Sequence, residues 1–107
     1  MRIKIVFIFC FISFLSACGE VSFDFVGGEK KALNEYRGQW LLVNYWAVWC
    51  KPCLTEIPEL NEFNTRSNVE VLAFNFDRLG EVSLKVQISK FDIQYRSLSV
   101  DPAERLN

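Results

Sequence analysis

The stretch Tyr45–Pro58, YWAVWCKPCLTEIP, combines three aromatic residues, two prolines and two cysteines in the spacing Cys-x-x-Cys. It overlaps WLLVNYW (Trp40–Trp46), an almost continuous apolar and aromatic run that is typical of strands covered on both faces in parallel sheets. From the second cysteine onward, apolar residues recur at spacings of four, three and three, which predicts a helix from about residue 51 to 65. Cys50 is therefore predicted to lie where a buried strand passes into an amphipathic helix.

This junction is a favourable position for a reactive thiol. The free N–H groups and the partial positive charge of a helix N-terminus stabilise a thiolate, and Cys-x-x-Cys motifs at such sites lower a cysteine pKa from about 8.5 to about 3.5–7.5. Lys51 adds a nearby positive charge, and Pro52 fits the first helical turn, where no backbone N–H is needed. We therefore predict that Cys50 is the nucleophile and that Cys53, on the buried stripe one turn later, is the resolving thiol.

The rest of the chain predicts alternating strands and helices. Further strands are expected at residues 21–26, 69–76 and 95–100. A second helix is expected at 81–91, with Val82, Val86 and Ile88 facing inward, and the segment 30–38 is interpreted as a polar connector or short helical turn. A strand, a helix and a second strand of these lengths form a right-handed parallel unit, so the predicted fold class is α/β.

The first eighteen residues, MRIKIVFIFCFISFLSAC, have the pattern of a secretory signal. The apolar or small run from Ile5 to Ala17 is shorter than the roughly 20 residues that span a bilayer. Its end, Leu15-Ser16-Ala17-Cys18, resembles the lipobox of bacterial lipoproteins, in which the cysteine carries the lipid; an ordinary signal peptide with a chance cysteine is the alternative. We expect a leader at 1–18 and a domain at 19–107 that is anchored to a membrane on the extracytoplasmic side of a bacterial cell envelope, where disulfides persist.

Charge and cysteine content argue against some other kinds of site. From Cys18 onward, ten basic side chains accompany thirteen acidic ones, a net charge of −3 that gives no indication of nucleic acid binding. If the leader with Cys10 is removed and Cys18 is lipidated, only Cys50 and Cys53 remain as free thiols. Zinc commonly needs four ligands, and the chain has no histidine and no second Cys-x-x-Cys pair. A purely structural disulfide remains an alternative, although so short a ring removes little chain entropy.

The sequence WAVWCKPC, preceded by LLVNY and followed by Pro58, resembles the active site of the thioredoxin superfamily. The pattern Cys-x-Pro-Cys-x-x-Glu-x-Pro, with Asn44 six residues before the first cysteine, is similar more narrowly to the TlpA/ResA-like membrane-anchored thiol-disulfide oxidoreductases. The resemblance spans roughly Phe23 to Asp101. It implies a first helix kinked at Pro58, protein disulfides and dithiols as partners, an upstream membrane electron donor and a reducing role such as that in cytochrome c maturation. It implies no cofactor beyond the cysteine pair.

The resemblance also directs attention to side chains around the cysteines. Trp49, beside the nucleophile, is expected to offer a flat apolar surface to partner chains, and Trp46 is expected in the core or the site wall. Asn44 stands where cytoplasmic thioredoxins have a buried aspartate, and an amide cannot accept the proton that Cys53 loses, although it can still hydrogen-bond and hold the junction. Glu56, one helical turn from Cys53, is the predicted proton acceptor, the alternative being one more solvated glutamate.

Finally, the resemblance implies elements that this sequence does not contain. Thioredoxin-like domains continue after the second helix with a cis-proline loop, a hairpin and a last helix, and the turn-like context of Pro102 does not match that loop. We therefore expect an incomplete thioredoxin-like fold, from a fragment of a longer protein. A non-catalytic lipoprotein binding module, or a decayed fragment that retains the motif, is the alternative to an enzyme.

Overall fold

The computed structural model of the protein describes residues 19–107. The elements are β1 (Ser22–Asp24), β2 (Lys30–Ala32), a 3-10 turn (Leu33–Tyr36), β3 (Trp40–Trp46), α1 (Lys51–Phe63), β4 (Val69–Asn75), α2 (Glu81–Lys90), β5 (Arg96–Ser97) and α3 (Pro102–Leu106). This order confirms the predicted α/β class. The predicted leader and lipidation site at 1–18 lie outside the described residues. None of the helices in the described part is long and apolar enough to cross a membrane.

Strands β3, β4 and β5 form a parallel sheet with β4 in the centre. Strand β4 pairs with β3 along its whole length, with Asn44 opposite Ala73, and with β5 over a shorter stretch, with Ala73 opposite Ser97. All residues of β4 except Glu70 are buried. The predicted strand-helix-strand unit is thus confirmed, and β4 is its fully covered strand.

Strand β3 is less covered than its sequence predicts. It is an edge strand of the described sheet, and Trp40, at its start, is 75% exposed. The buried residue of α1, Ile57, packs with residues of β4 and with Trp46, so the helix leaves the first half of β3 open. The prediction that both faces are covered is therefore wrong, because Trp40, Leu42 and Tyr45 are exposed and only Trp46 is almost completely buried.

Two hydrophobic clusters cover the faces of the sheet. The cluster under α1 and α2 consists of Trp46, Ile57, Val69, Val71, Ala73, Leu84, Ile93 and Tyr95. The cluster on the other face consists of Phe23, Phe25, Tyr36, Leu72, Phe74 and Leu98. Cys53 packs against the first cluster, so the cysteine pair rests on the core that α1 shares with the sheet.

The segment predicted as a connector contains an additional strand. Residues 30–32 form β2, which pairs antiparallel with β1, and the short helical turn follows it. Gly27 and Gly28 have φ values of 97° and 88°, a conformation that favours glycine, and they allow the chain to reverse between the two strands. A strand of three residues beginning with two lysines carries too little hydrophobic pattern to be recognised from the sequence.

Helix α2 presents a different face from the one predicted. Leu84 is buried and Ile88 packs against the core, whereas Val82 and Val86 are exposed. Since each residue advances about 100° around a helix, positions 82 and 86 lie roughly opposite 84 and 88. The predicted inward position of Val82 and Val86 is therefore wrong, because the helix carries apolar residues on two sides and the sequence did not show which side meets the sheet.

Candidate redox-active site

Cys50 and Cys53 form a disulfide, with a Cα–Cα distance of 5.3 Å. Helix α1 begins at Lys51 and Cys50 is its N-cap residue, which confirms the predicted position of this cysteine between strand and helix. The carbonyl of Cys50 accepts the first helical hydrogen bond, from the N–H of Leu54 at 3.1 Å. Pro52 lies in the first turn, where its missing N–H leaves no bond unmade.

The surroundings of Cys50 favour negative charge on its sulfur in the reduced state. The first turn of α1 contains no acidic residue, and Lys51 is exposed beside the cysteine. The partial positive charge of the helix N-terminus is therefore not opposed within this turn. Cys50 and Cys53 are both partly buried, so the sulfurs are shielded but remain within reach of a partner.

An aromatic hollow of about 150 Å³ opens beside the disulfide. Its lining consists of Tyr45, Trp46, Ala47, Trp49, Cys50, Cys53 and Phe76. Trp49 is 67% exposed and Phe76 is 62% exposed, and their rings meet edge to face with centroids 6.2 Å apart. The Nε1 of Trp49 donates to both carboxylate oxygens of Asp77, at 3.0 and 3.1 Å. Trp49 is thus fixed as an exposed apolar surface next to Cys50, and its predicted contact with partner chains stays a prediction.

The sequence predicts a turn at residues 77–80, after β4, but not the contacts that this loop makes. Its residue Arg78 has a φ of 53° and pairs with Asp101 at 3.2 Å and with Glu104 at 2.6 Å, at the start of α3. Asp101 also accepts a hydrogen bond from the hydroxyl of Tyr45 at 2.7 Å, and this bond, with the positive charge of Arg78, lowers the pKa of Asp101. These contacts connect the end of β3, the loop and α3 beside the hollow. The only signal for these contacts in the sequence is the group of polar residues directly after a buried strand.

Asn44 lies below α1 and donates from Nδ2 to Oη of Tyr95 at 3.0 Å. This hydrogen bond therefore joins Asn44 to the segment before β5 and not to the strand–helix junction at Cys50. Tyr95 is 3% exposed, and burial raises its pKa; the hydrogen bond from Asn44 acts in the opposite direction, and the charge of Glu56 adds to the rise. Sequence reasoning had placed Tyr95 only as the start of a strand.

Glu56 lies one turn after Cys53, as predicted, but its side chain is exposed. It lines an open groove between α1 and β3 together with Leu42, Glu59, Leu60, Glu62, Phe63 and Arg66. The carboxylate of Glu56 is not buried, so burial gives no support to its predicted role as the proton acceptor. Its place one helical turn from Cys53 fits the predicted role, which stays a prediction.

Pro58 lies inside α1, and the helix continues past it to Phe63. Because proline has no N–H, the carbonyl of Leu54 lacks its usual partner four residues later. The missing bond weakens the helix between the cysteine pair and its second half, and the kink that the resemblance implies at Pro58 stays a prediction.

The arrangement can perform two-electron thiol-disulfide exchange. One cysteine stands at an accessible helix start, and the second is close enough to bond to it. Within residues 19–107, no group of three or more cysteine and carboxylate side chains is placed to hold a metal ion.

Comparisons with known proteins agree with this chemistry. The chain matches the AhpC/TSA family over residues 18–105. It is 38% identical over 78 residues to the thiol-disulfide oxidoreductase ResA of Geobacillus kaustophilus, in an alignment that covers 66% of this chain and 43% of the relative. The chain thus spans less than half the length of this curated relative.

Solved structures have the same fold. The thioredoxin domain of a thiol-disulfide oxidoreductase from Bacteroides vulgatus superposes with a TM-score of 0.61 at 20% identity, covering 78% of this chain and 61% of that one. A thiol-disulfide oxidoreductase from Bacteroides fragilis gives a TM-score of 0.60 at 23% identity, covering 81% and 72%. These two likenesses concern the fold alone. The match over residues 18–105 and the similarity to ResA show that the chain belongs to the AhpC/TSA family of thioredoxin-like proteins, as a homologue of the ResA thiol-disulfide oxidoreductases.

Proposed function

We propose that the protein is a thiol-disulfide oxidoreductase that exchanges disulfides with other proteins through Cys50 and Cys53, with reduction of the partner as its main direction. The observation that carries the proposal is the position of the pair. Cys50 caps α1 shortly after β3, and Cys53 rests on the core one turn later. A disulfide that only stabilised the fold would gain nothing from a helix N-terminus or from an exposed tryptophan beside it.

The reaction has two exchange steps. The Cys50 thiolate attacks one sulfur of the partner disulfide, which forms a mixed disulfide and releases one partner thiolate. Cys53 then loses its proton and attacks the sulfur of Cys50, which forms the intramolecular disulfide and releases the second partner thiolate. Two electrons pass from the cysteine pair to the partner, and the 5.3 Å between the two Cα atoms permits the final bond.

The proposed location is the extracytoplasmic face of a membrane, with Cys18 as the lipid anchor. The basic, apolar and small-residue pattern of residues 1–18 supports export, and the Leu-Ser-Ala-Cys sequence supports lipidation. Each reduction of a partner leaves Cys50 and Cys53 oxidised, so a donor must return two electrons before the next turnover, and the proposed donor is a membrane dithiol. The TlpA/ResA resemblance supports cytochrome c maturation as the process that this reductant serves.

The test of this function is catalysed insulin reduction by the full-length protein. With dithiothreitol as the electron source, we expect the protein to accelerate the precipitation of the insulin B chain, measured as turbidity. A rate equal to that of dithiothreitol alone would contradict the proposal. Alkylation of the reduced protein at different pH values distinguishes the enzyme from a non-catalytic binding module. An enzyme has one thiol that is alkylated at pH values well below the usual cysteine pKa of about 8.5, whereas a binding module has two thiols with ordinary pKa values.

Glu56→Gln is expected to slow disulfide exchange by about 100-fold, the lower end of the usual range for a general base, because the carboxylate is exposed to solvent. The variant also removes the charge next to Cys53, so the pH dependence of the rate should change. Insulin reduction measured across pH gives both quantities.

Glu59→Gln is the matched control for this substitution. Glu59 is exposed on the same helix and lines the same groove, and its loss of charge is identical. We expect wild-type rates and pH dependence from this variant. Coincident pH–rate curves for Glu56→Gln and the wild type would remove Glu56 from the mechanism.

A further inference from the structure

Asp77 is a carboxylate near the cysteine pair that the exchange steps above do not use. Both of its carboxylate oxygens accept from the Nε1 of Trp49, at 3.0 and 3.1 Å. Hydrogen bonds to an ionised acceptor are stronger than those between neutral groups. This one carboxylate therefore restricts the rotation of an indole ring that is largely exposed and directly precedes Cys50.

The backbone on both sides of this contact is held by other hydrogen bonds. The N–H of Cys50 donates to the carbonyl of Ala47 at 3.0 Å, which closes a turn that contains Trp49. The N–H of Asp77 donates at 3.0 Å to Oδ1 of Asn75, a side chain that is 2% exposed. Loss of the contact between Asp77 and Trp49 would therefore free the indole ring without displacing either segment.

The indole ring forms one wall of the aromatic hollow beside the disulfide. Phe76 forms another wall, and the two rings meet edge to face with centroids 6.2 Å apart. Apart from the two cysteines, the lining residues are all uncharged. The volume of about 150 Å³ equals that of an apolar cavity that holds one benzene molecule. Size and lining therefore fit one aromatic ring or one branched aliphatic side chain.

The exchange reaction determines what reaches this hollow. Cys50 and Cys53 are part of its lining, and in the mixed disulfide the partner's sulfur lies about 2 Å from the sulfur of Cys50. Neighbouring Cα atoms of a chain are about 3.8 Å apart, so the residues that flank the partner's cysteine arrive at the mouth of the hollow. A charged side chain would lose hydration against this lining, whereas an apolar side chain gains free energy from burial.

We propose that the hollow binds an aliphatic or aromatic side chain next to the cysteine of the partner protein, and that Asp77 is the positioning residue that holds Trp49 as its wall. The proposal rests on the proposed function and adds a class of substrate to it: protein disulfides whose cysteine has an apolar neighbour. Trp49 and Phe76 contact that neighbour, whereas Asp77 acts only through Trp49. Loss of Asp77 should therefore slow exchange with such partners and leave exchange with small neighbours unchanged.

The test is the rate at which the reduced full-length protein reduces two peptide disulfides, one with phenylalanine and one with alanine after the cysteine. Released peptide thiol is measured by chromatography, and each rate is divided by the rate with dithiothreitol to correct for the reactivity of the peptide itself. Because the hollow is open to solvent, we expect the phenylalanine peptide to react about 10-fold faster, the lower end of the discrimination by apolar pockets. Equal corrected rates would overturn the proposal and leave the proposed function standing, whereas no reduction of either peptide would reject both.

Asp77→Ala removes the acceptor of the indole N–H, so it should slow the phenylalanine peptide alone and make the two corrected rates nearly equal. Asp77→Asn is the matched variant, because it removes the same charge but keeps a side-chain oxygen that accepts a hydrogen bond. We expect Asp77→Asn to retain the preference of the wild type. An unchanged preference in Asp77→Ala, or an equal loss in both variants, would overturn the positioning role of Asp77.

A further variant covers the case in which Asp77→Ala does not fold, as judged by circular dichroism. Phe76→Ala removes the other wall of the hollow, and since Phe76 is largely exposed, little core packing is lost. We expect this variant to lose the preference for the phenylalanine peptide. Val82→Ala, which truncates an exposed apolar residue of α2, is the control and should behave like the wild type. A preference that persists in Phe76→Ala, or an equal loss in Val82→Ala, would contradict the hollow as the binding site.

Discussion

Cys50→Ser is expected to abolish disulfide reduction by the protein, measured as turbidity in the insulin assay. Exchange begins with attack by a thiolate, and a serine hydroxyl is not ionised at neutral pH. The structure places Cys50 at the helix N-terminus, where negative charge is stabilised, and packs Cys53 against the core. Loss of Cys50 therefore removes the attacking group itself, and Cys53 is not placed to replace it.

Cys53→Ser is the companion variant, and it should give a different result. Cys50 can still attack the partner, but no second thiol is present to release it, so the mixed disulfide should accumulate. Non-reducing electrophoresis should show the protein joined to an insulin chain, and dithiothreitol should separate them. Accumulation of the adduct in Cys50→Ser, and not in Cys53→Ser, would reverse the two roles.

The elements around the cysteines were the most predictable part of the fold. The bounds of β3 agree with the apolar run, and α1 begins directly after Cys50. Several independent signals coincide in this stretch: a continuous apolar run, a proline suited to a first helical turn and a regular apolar stripe. Each signal is local in the chain, so no knowledge of tertiary contacts was needed to place Cys50.

The predictions failed where the outcome depends on what packs against an element. The apolar run of β3 indicated a strand but not that Trp40, Leu42 and Tyr45 are exposed. The two apolar sides of α2 left its buried face undecided, and Leu84 faces the core in place of Val82 and Val86. Hydrophobic periodicity reports which side of an element is apolar, and it identifies the buried side only when the other side is polar.

In the site, too, the positions of residues near the cysteines were predictable, but their contacts with distant residues were not. The position of Trp49 beside the cysteines follows from the chain itself, but its hydrogen bonds to Asp77, 28 residues away, do not. Asn44 was recognised by its offset from the cysteine, whereas its partner Tyr95 is 51 residues distant. Contacts of this length arise from the order of strands in the sheet, which a single sequence does not reveal. For this reason the groups that hold the site in place emerged only from the structure.

Cys18→Ser is expected to abolish lipid attachment, measured as incorporation of radiolabelled palmitate in a bacterial host. The prediction follows from the Leu15–Cys18 sequence, in which the thiol of Cys18 is the only group that can carry a thioether-linked lipid. Each buried methylene contributes about 0.8 kcal/mol, so several acyl chains anchor a protein stably and their loss removes the anchor. Lipid labelling is the decisive measurement, because an uncleaved leader could by itself retain the precursor in the membrane fraction.

Cys10→Ser is the matched control, since Cys10 lies in the apolar run of the same leader. This variant should be labelled like the wild type, and an unlabelled wild type would identify residues 1–18 as an ordinary signal peptide.

The anchor also has a consequence for the reaction. Only residues 19–21 separate Cys18 from β1, a reach of about 10 Å when extended, so a lipidated protein holds its domain directly at the membrane surface. A donor embedded in the same membrane would then reach the oxidised Cys50–Cys53 pair by diffusion in the plane of the membrane. The Cys18→Ser variant, which carries no lipid, should therefore be reduced more slowly in cells, although its rate in the insulin assay is unchanged.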